Sequence, residues 1–155
     1  MEFSHLDPNH QPGMVNVGEK AITQRTALAQ AEVWFGQETM QDLVAAGWEN
    51  KKGSILQTVI IAGTMAAKKT GDLIPLCHPL GLNACEFETE FLEDRLILRC
   101  LCRLEARTGV EMEAMTGVSI AALTVYDMCK SLSKGIRILE VKLLKKTGGK
   151  SDFQA

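Results

Sequence analysis

Apolar and polar residues alternate along four stretches of the chain, which is the pattern of strands that bury one face of a sheet. The first stretch covers residues 26–35 and places five apolar residues at its odd-numbered positions. Residues 85–91 and 95–104 alternate in the same way and meet at the polar turn sequence LEDR. They predict a hairpin with acidic residues on one strand and basic residues on the other. A fourth strand is predicted over residues 136–145.

Helical patterns lie between these strands. A short one covers residues 37–46, and a longer one runs from Ser54, a favourable helix cap, to about Lys69. The longest covers residues 110–133. The order strand, helix, strand, strand, helix, strand predicts an α+β fold of the ferredoxin-like sandwich type. Its antiparallel four-stranded sheet would carry helices packed on one face.

We predict one domain, over residues 14–147, between a flexible N-terminal arm (1–13) and a flexible glycine-rich C-terminal tail (148–155). The other face of the sheet has no predicted helix to cover it. Ile97 and Leu101 fall on that face, so we expect it to be partly apolar and to be buried by oligomerisation.

Composition restricts the class of protein. The chain has 155 residues, of which 46% are hydrophobic and 23% charged, as in ordinary soluble domains. No apolar run approaches the roughly 18–20 residues of a membrane span, and the polar first residues are not typical of a secretory signal. Five cysteines without a disulfide-scaffold spacing indicate reduced thiols and a cytoplasmic protein.

The charge is unevenly distributed. The net charge of −2 gives little reason to expect nucleic-acid binding. Between Lys130 and Lys150, however, there are seven basic residues and one acidic residue, whereas the rest of the chain is acidic. A cationic segment on an acidic body favours a small anionic ligand over a long polyanion.

The last predicted helix carries the first candidate for chemistry. At 100° per residue, one stripe holds polar and small residues: Glu113, Thr116, Gly117, Thr124, Asp127, Lys130 and Lys134. The pattern alone favours a solvated face with an ion pair between Asp127 and Lys130. The alternative is a general acid–base lysine oriented by the aspartate, with its pKa lowered by neighbouring cations.

The rigid loop LIPLCHPLG is the second candidate, because its prolines present His78 rather than pack it. Local hydrogen bonding is the alternative role for this histidine. Cys77, His78, Cys100 and Cys102 are potential zinc ligands, but no zinc-site spacing is present, and Cys100 and Cys102 fall on a core face. We therefore expect no bound metal. No carboxylate cage for Mg²⁺ is evident either.

Two lysine-rich segments are candidate anion sites. Lys51 and Lys52 precede the helix that starts near Ser54, and helix N-termini bind anions. The segment from Lys145 to Lys150 lacks the order of a phosphate-binding P-loop. It is either a flexible phosphate clamp or a solubilising tail.

Taken together, the motifs LIPLCHPL, TGVEMEAMTG and ALTVYDMCKS, with KKG and KTGGKS, resemble the MoaC family of molybdenum cofactor biosynthesis. The resemblance implies a ferredoxin-like fold and a homohexamer, a trimer of dimers with active sites between subunits. It implies a lyase that converts 3′,8-cyclo-7,8-dihydroguanosine triphosphate, a nucleotide-derived small molecule, into cyclic pyranopterin monophosphate and pyrophosphate. From the residues themselves we expect no membrane partner and no cofactor other than Mg²⁺ accompanying the triphosphate.

The resemblance also assigns roles to residues. Asp127 and Lys130 match the catalytic pair of the YDMCK motif. The matched substrate-binding positions are Lys52, Leu76, Cys77, His78, Met112 and Glu113, and those assigned to the triphosphate are Arg25, Lys146 and Lys150. A non-catalytic regulatory module that binds a small anion remains the alternative function, since this fold hosts many functions. Such a module needs the cations but not the Asp127–Lys130 pair.

Overall fold

The computed structural model describes residue 9 and residues 11–155. The elements in chain order are β1 (Thr23–Trp34), α1 (Gln37–Ala45), β2 (Glu49–Asn50), β3 (Gly53–Ser54), α2 (Ile55–Lys68), α3 (Thr70–Leu73), β4 (Ala84–Phe91), β5 (Arg95–Ala106), α4 (Glu111–Cys129), β6 (Arg137–Thr147) and β7 (Phe153–Gln154). Most of the predicted N-terminal arm, residues 1–8 and 10, lies outside the described residues, so that assignment stays a prediction.

The main sheet is antiparallel and has the strand order β4-β5-β1-β6-β7. The four long strands have the ferredoxin-like order, so the predicted fold class is confirmed. The strand number differs from the prediction, because β7 adds a fifth, two-residue strand to the edge of β6. Part of the segment predicted to be a flexible tail is thus paired, with Lys146 opposite Phe153.

One face of the sheet forms the core. The odd-numbered residues of β1 from Ala27 to Val33 and the even-numbered residues of β5 from Leu96 to Leu104 are buried, as their alternation predicts. Helix α4 packs on β1, β5 and β6, and α2 packs on α4. The alanine row of β1 has little side-chain volume, which lets α4 approach the sheet closely.

The opposite face of the sheet is covered by its own charged side chains. Arg99 pairs with Glu90 at 2.6 Å, Arg103 pairs with Glu86, and central Ile97 is only 8% exposed. The partly apolar outer face that we expected is therefore largely shielded by ion pairs. Exposed apolar side chains lie on the helices, at Ile61 and Met65 of α2 and at Leu123 of α4, and also on the edge strands, for example at Phe91 of β4 and Leu139 of β6.

Helix α4 is shorter than predicted and does not expose its polar stripe along its whole length. Glu113 is only 2% exposed, and Thr116 and Gly117 are buried, because α2 and the loop before β4 cover the first turns of α4. Asp127 and Lys130, at the other end, are exposed. None of the described helices has the length and apolar composition that crossing a membrane requires.

Candidate active site

A cavity of about 520 Å³ opens at the end of the molecule where α4 begins. Eight of the eleven predicted site residues line it: Arg25, Leu76, Cys77, His78, Met112, Glu113, Lys146 and Lys150. They come from four separate parts of the chain. The structure therefore brings together most of what the sequence motifs selected.

The fold explains how distant residues meet at this cavity. Arg25 lies near the start of β1, opposite the end of β5, and its guanidinium donates to the carbonyl oxygens of Ala106 and Arg107, each at 3.4 Å. Lys146 lies near the end of β6, paired with Ala27 of β1. Starts and ends of antiparallel strands alternate along a sheet edge, so both cations reach the same end of the molecule.

The cavity wall is rich in positive charge. Its five basic side chains are Lys20, Arg25, Arg107, Lys146 and Lys150, and its acidic ones are Glu111 and Glu113. Lys146 pairs with Glu111 at 3.2 Å, and the Arg107 guanidinium donates to the Lys20 carbonyl oxygen at 3.0 Å. An excess of cations on a concave wall suits a polyphosphate.

Sequence analysis missed Lys20, Arg107 and Glu111. The strand register contains a signal for Arg107, which directly follows Ala106, the partner of Thr23 at the start of β1. The ferredoxin-like strand order places this end of β5 next to the start of β1, which carries Arg25. We find no comparable signal for Lys20, which precedes the first strand.

Glu113 is the buried ionisable group of this wall. Desolvation raises the pKa of its carboxyl, against a lowering by a backbone hydrogen bond, and the charge of Glu111 raises it further. Burial, with a smaller effect from the charge of Glu113, raises the pKa of the Cys77 thiol. A carboxyl held in this way binds a proton more readily than an exposed one, so it is suited to exchange protons with a bound ligand.

The remaining three predicted residues form a second group at the other end of α4. Asp127 accepts from the ammonium of Lys130 at 2.7 Å and from that of Lys52 at 3.4 Å. Asn50 fixes the turn that carries Lys52: its side-chain oxygen accepts from the Lys52 amide at 2.7 Å, and its side-chain nitrogen donates to the Met128 carbonyl oxygen at 2.9 Å. Asn50 is thus a positioning residue that sequence analysis did not identify.

The ion pairs shift the pKa values of Asp127 and Lys130 so that the charged form of each is favoured. Hydrogen bonds from Lys130 and then Lys52 lower the pKa of Asp127. The hydrogen bond to Asp127, with its charge, raises the pKa of Lys130. This is opposite to the lowered lysine pKa considered from the sequence, because within one chain the nearest charge to Lys130 is an anion. Lys130 is therefore protonated here and able to donate rather than accept a proton.

The two groups do not meet within one chain. Glu113 and Asp127 are fourteen residues apart on α4, which corresponds to about 21 Å along a helix axis. Asp127, Lys130 and Lys52 are absent from the cavity wall. One chain therefore presents two parts of the predicted site on separate surfaces.

The chain is similar to known proteins over nearly its full length. The model of the MoaC family matches residues 14–149. A cyclic pyranopterin monophosphate synthase from Xanthomonas oryzae pv. oryzae is 50% identical over 154 residues, which cover 99% of this chain and 93% of that protein. The corresponding synthase from Xanthomonas axonopodis pv. citri is 48% identical over the same shares. A molybdenum cofactor biosynthesis bifunctional protein from Synechocystis is 47% identical over 97% of this chain and 45% of its own length. The chain therefore belongs to the MoaC family.

Proposed function

We propose that the protein is a cyclic pyranopterin monophosphate synthase, a lyase that acts on 3′,8-cyclo-7,8-dihydroguanosine triphosphate and releases pyrophosphate. Membership of the MoaC family and the names of its relatives support this reaction. The observation that carries the proposal is the cavity in which motif residues and five basic side chains converge. Its basic side chains offer the charge that a triphosphate requires, and its volume of about 520 Å³ is in the range of small-molecule sites.

Binding of the triphosphate is assigned to the cations of the cavity. Arg25, Lys146 and Lys150 were selected from the sequence, and Lys20 and Arg107 extend the same wall. Guanidinium and ammonium groups stabilise phosphate oxygens by charge-assisted hydrogen bonds. When the cyclic phosphate closes, negative charge moves onto the departing pyrophosphate, and fixed cations stabilise that transition state. We propose no separate Mg²⁺ site on the protein; any Mg²⁺ would bind together with the triphosphate.

Proton transfer during rebuilding of the ring is assigned to Lys130, oriented by Asp127, with Glu113 and His78 on the facing wall. Within one chain, Asp127 keeps Lys130 protonated. In an assembled site the cations of the cavity would approach Lys130, and like charges lower the pKa of an ammonium. Assembly would thus move Lys130 toward a value suited to general acid–base catalysis.

We propose that each complete site joins the cavity of one copy to the Asp127–Lys130–Lys52 group of a second copy. The distance of about 21 Å between the two groups along α4 supports this. One substrate molecule is too short to contact both groups of the same chain, because the helix surface between them is covered. Exposed Ile61, Met65 and Leu123 supply apolar surface for association. A homohexamer built as a trimer of dimers is the assembly that the resemblance implies, and we retain it as part of the proposal.

The catalytic assignment is tested with Lys130→Ala. We expect turnover to fall by about 10²- to 10⁴-fold, as for loss of a general acid–base group, with substrate binding and melting temperature close to those of the parent. Lys134→Ala removes an exposed lysine four residues further on and serves as the matched control. Product is identified by mass. Parental turnover by Lys130→Ala would contradict the assignment, and a parent that binds without turnover would favour the anion-binding module.

The shared site is tested by mixing two inactive variants, Lys130→Ala and Arg25→Ala, under conditions that exchange subunits. If sites form between copies, about a quarter of them join an intact cavity to an intact Lys130, and activity returns. If each site lies within one chain, the mixture stays inactive. Sizing by light scattering gives the stoichiometry, and a stable monomer that turns over substrate would refute the shared site.

We also propose a cytoplasmic location. All five cysteines are free thiols, including partly buried Cys77 and Cys85. A reducing compartment keeps thiols in this state.

A further inference from the structure

Three cysteines outside the proposed catalytic machinery meet at the edge of the core. Cys85 on β4 is directly opposite Cys102 on β5, and Cys100 lies two residues away on the same face. Their sulfur atoms are separated by 3.7 Å (Cys85–Cys100), 3.7 Å (Cys100–Cys102) and 3.9 Å (Cys85–Cys102). Cys100 and Cys102 are buried, and Cys85 is half-buried. The thiols thus form a nearly equilateral sulfur triangle.

The sulfur triangle has the size of a three-thiolate site. An ion bound about 2.3 Å from each sulfur places the sulfurs about 4.0 Å apart in planar geometry and about 3.8 Å apart at tetrahedral angles. The narrower angles of about 100° around a trivalent ion with a lone pair place them about 3.5 Å apart. The measured separations lie within a few tenths of an ångström of these values. Thiols in van der Waals contact are similarly spaced, so the choice of ligand rests on charge and access.

The neighbouring helix leaves space for the sulfurs. Gly117 of α4 lies over Cys100, and a Cβ atom at this position would be 3.0 Å from the Cys100 sulfur. Any larger residue at 117 would displace that sulfur. The half-buried Cys85 lies on β4, the edge strand, so a small ligand can reach the triangle without passing through the core.

Charge selects among soft ions. Among the described residues, no other histidine, cysteine or carboxylate completes the group as a fourth ligand. Three thiolates around a divalent ion would leave a net negative charge in a low-dielectric environment, which is costly. A complex of three thiolates with a trivalent ion has no net charge, so it avoids this cost.

We propose that Cys85, Cys100 and Cys102 form a binding site for a trivalent thiophilic ion of the arsenite class. In the exchange with arsenous acid, three S–H and three As–O bonds break and three As–S bonds form. Each thiol proton leaves in a molecule of water, so three waters are released. The arsenic stays trivalent and no electron is transferred. Soft sulfur ligands favour such an ion over the hard cations that oxygen ligands hold. This site is independent of the catalytic proposal.

The test uses the full-length protein, kept reduced with a thiol-free phosphine, and arsenite as the probe. We expect one arsenic per chain, a mass increase of one arsenic atom less three hydrogens, and three sulfur neighbours by X-ray absorption. The melting temperature should rise with arsenite concentration. Cys85→Ser and Cys102→Ala should lose the three-sulfur species. Cys129→Ala, which removes a buried cysteine outside the triangle, should retain it.

Three results would overturn the proposal. One is arsenic bound through two sulfurs in the parent, and another is binding that persists unchanged in Cys85→Ser. The third is binding only after denaturation, which would show that the folded triangle is not the site. Zinc alone is tested in parallel, because stoichiometric zinc binding lost in the same variants would refute the argument from charge. Cys85→Ser, at the half-buried edge, keeps the test valid if Cys102→Ala fails to fold.

Discussion

Gly148 lies between Lys146 and Lys150, two of the basic residues that line the cavity. We expect Gly148→Ala to lower both the stability of the protein and its affinity for substrate. Gly148 has a φ of +85°, in the left-handed region. A Cβ atom added there would overlap the backbone carbonyl oxygen of Gln24 in β1. No rotation of a side chain relieves a clash with backbone, so the segment that carries Lys146 and Lys150 must move.

The size of the effect follows from what the segment loses by moving. An L-residue held at this φ costs roughly 1–2 kcal/mol. Releasing the segment instead breaks two hydrogen bonds, from the Thr23 hydroxyl to the Gly148 carbonyl oxygen at 2.7 Å and from the Gly148 amide to Asp152 at 3.1 Å. Each contributes about 0.5–1.5 kcal/mol. The free energy of unfolding should therefore fall by about 1–3 kcal/mol.

The assay combines thermal unfolding at fixed protein concentration with steady-state kinetics. Each kcal/mol lost should lower the melting temperature by about 2–4 °C in a domain of this size. If the displaced lysines lose about 1.4 kcal/mol of phosphate binding, KM rises about tenfold. Gly149→Ala is the matched control for stability, since a Cβ there meets only the movable Arg25 side chain, at 3.1 Å, and Ser151, at 3.7 Å. Its KM is not compared, because Arg25 belongs to the proposed triphosphate site. Equal losses of stability in the two variants, or parental stability and KM for Gly148→Ala, would refute the reasoning.

Two further substitutions test the packing and titration of α4. In Gly63→Ala, the new Cβ overlaps the Phe87 ring and lies 3.0 Å from the Gly117 carbonyl oxygen. Overpacking costs about 1–3 kcal/mol, against up to about 1 kcal/mol of gained helix propensity, so the melting temperature should fall. Gly81→Ala, in open space, should leave it unchanged, and a parental value for Gly63→Ala would count against close helix contact. Burial raises the pKa of Glu113, so its stabilising contribution is present below the ordinary glutamate pKa and is lost as pH rises through the raised value. Glu113→Gln should flatten the dependence of melting temperature on pH and be the more stable protein at neutral pH, whereas parallel profiles would contradict this.

The fold was largely predictable because alternation reports which residues face the core. The buried rows of β1 and β5 are those that the period of two selects. The ends of strands were less predictable: β1 begins at Thr23, three residues before its apolar pattern, because backbone pairing with β5 continues through polar positions. β7 has two residues and hence no period, so nothing in the pattern indicated it.

The candidate site was predictable as a set of residues but not as an arrangement. The motifs selected eight residues that share one cavity. Helical angles placed Glu113 and Asp127 on one stripe, but they do not show which turns of the helix a neighbouring element covers. The sequence favoured an ion pair between Asp127 and Lys130, which forms, and offered a lowered pKa of Lys130 only as the alternative. The direction of the pKa shift could not be decided from the sequence, because it depends on which charges lie nearest, a three-dimensional property.

The two edges of the main sheet differ in how they resist pairing with strands of other molecules, and this affects where the chain can be truncated or fused. At one edge, β4 carries a glutamate at every second position, at Glu86, Glu88 and Glu90. Such charges disfavour the addition of a strand from another molecule. At the other, the chain terminus folds back so that Phe153 and Gln154 occupy backbone groups of β6. Truncation before Phe153, or a bulky C-terminal fusion that pulls it away, would uncover the backbone at Lys145 and Lys146. The open edge of β6 would then be longer, which favours aggregation through intermolecular β-pairing.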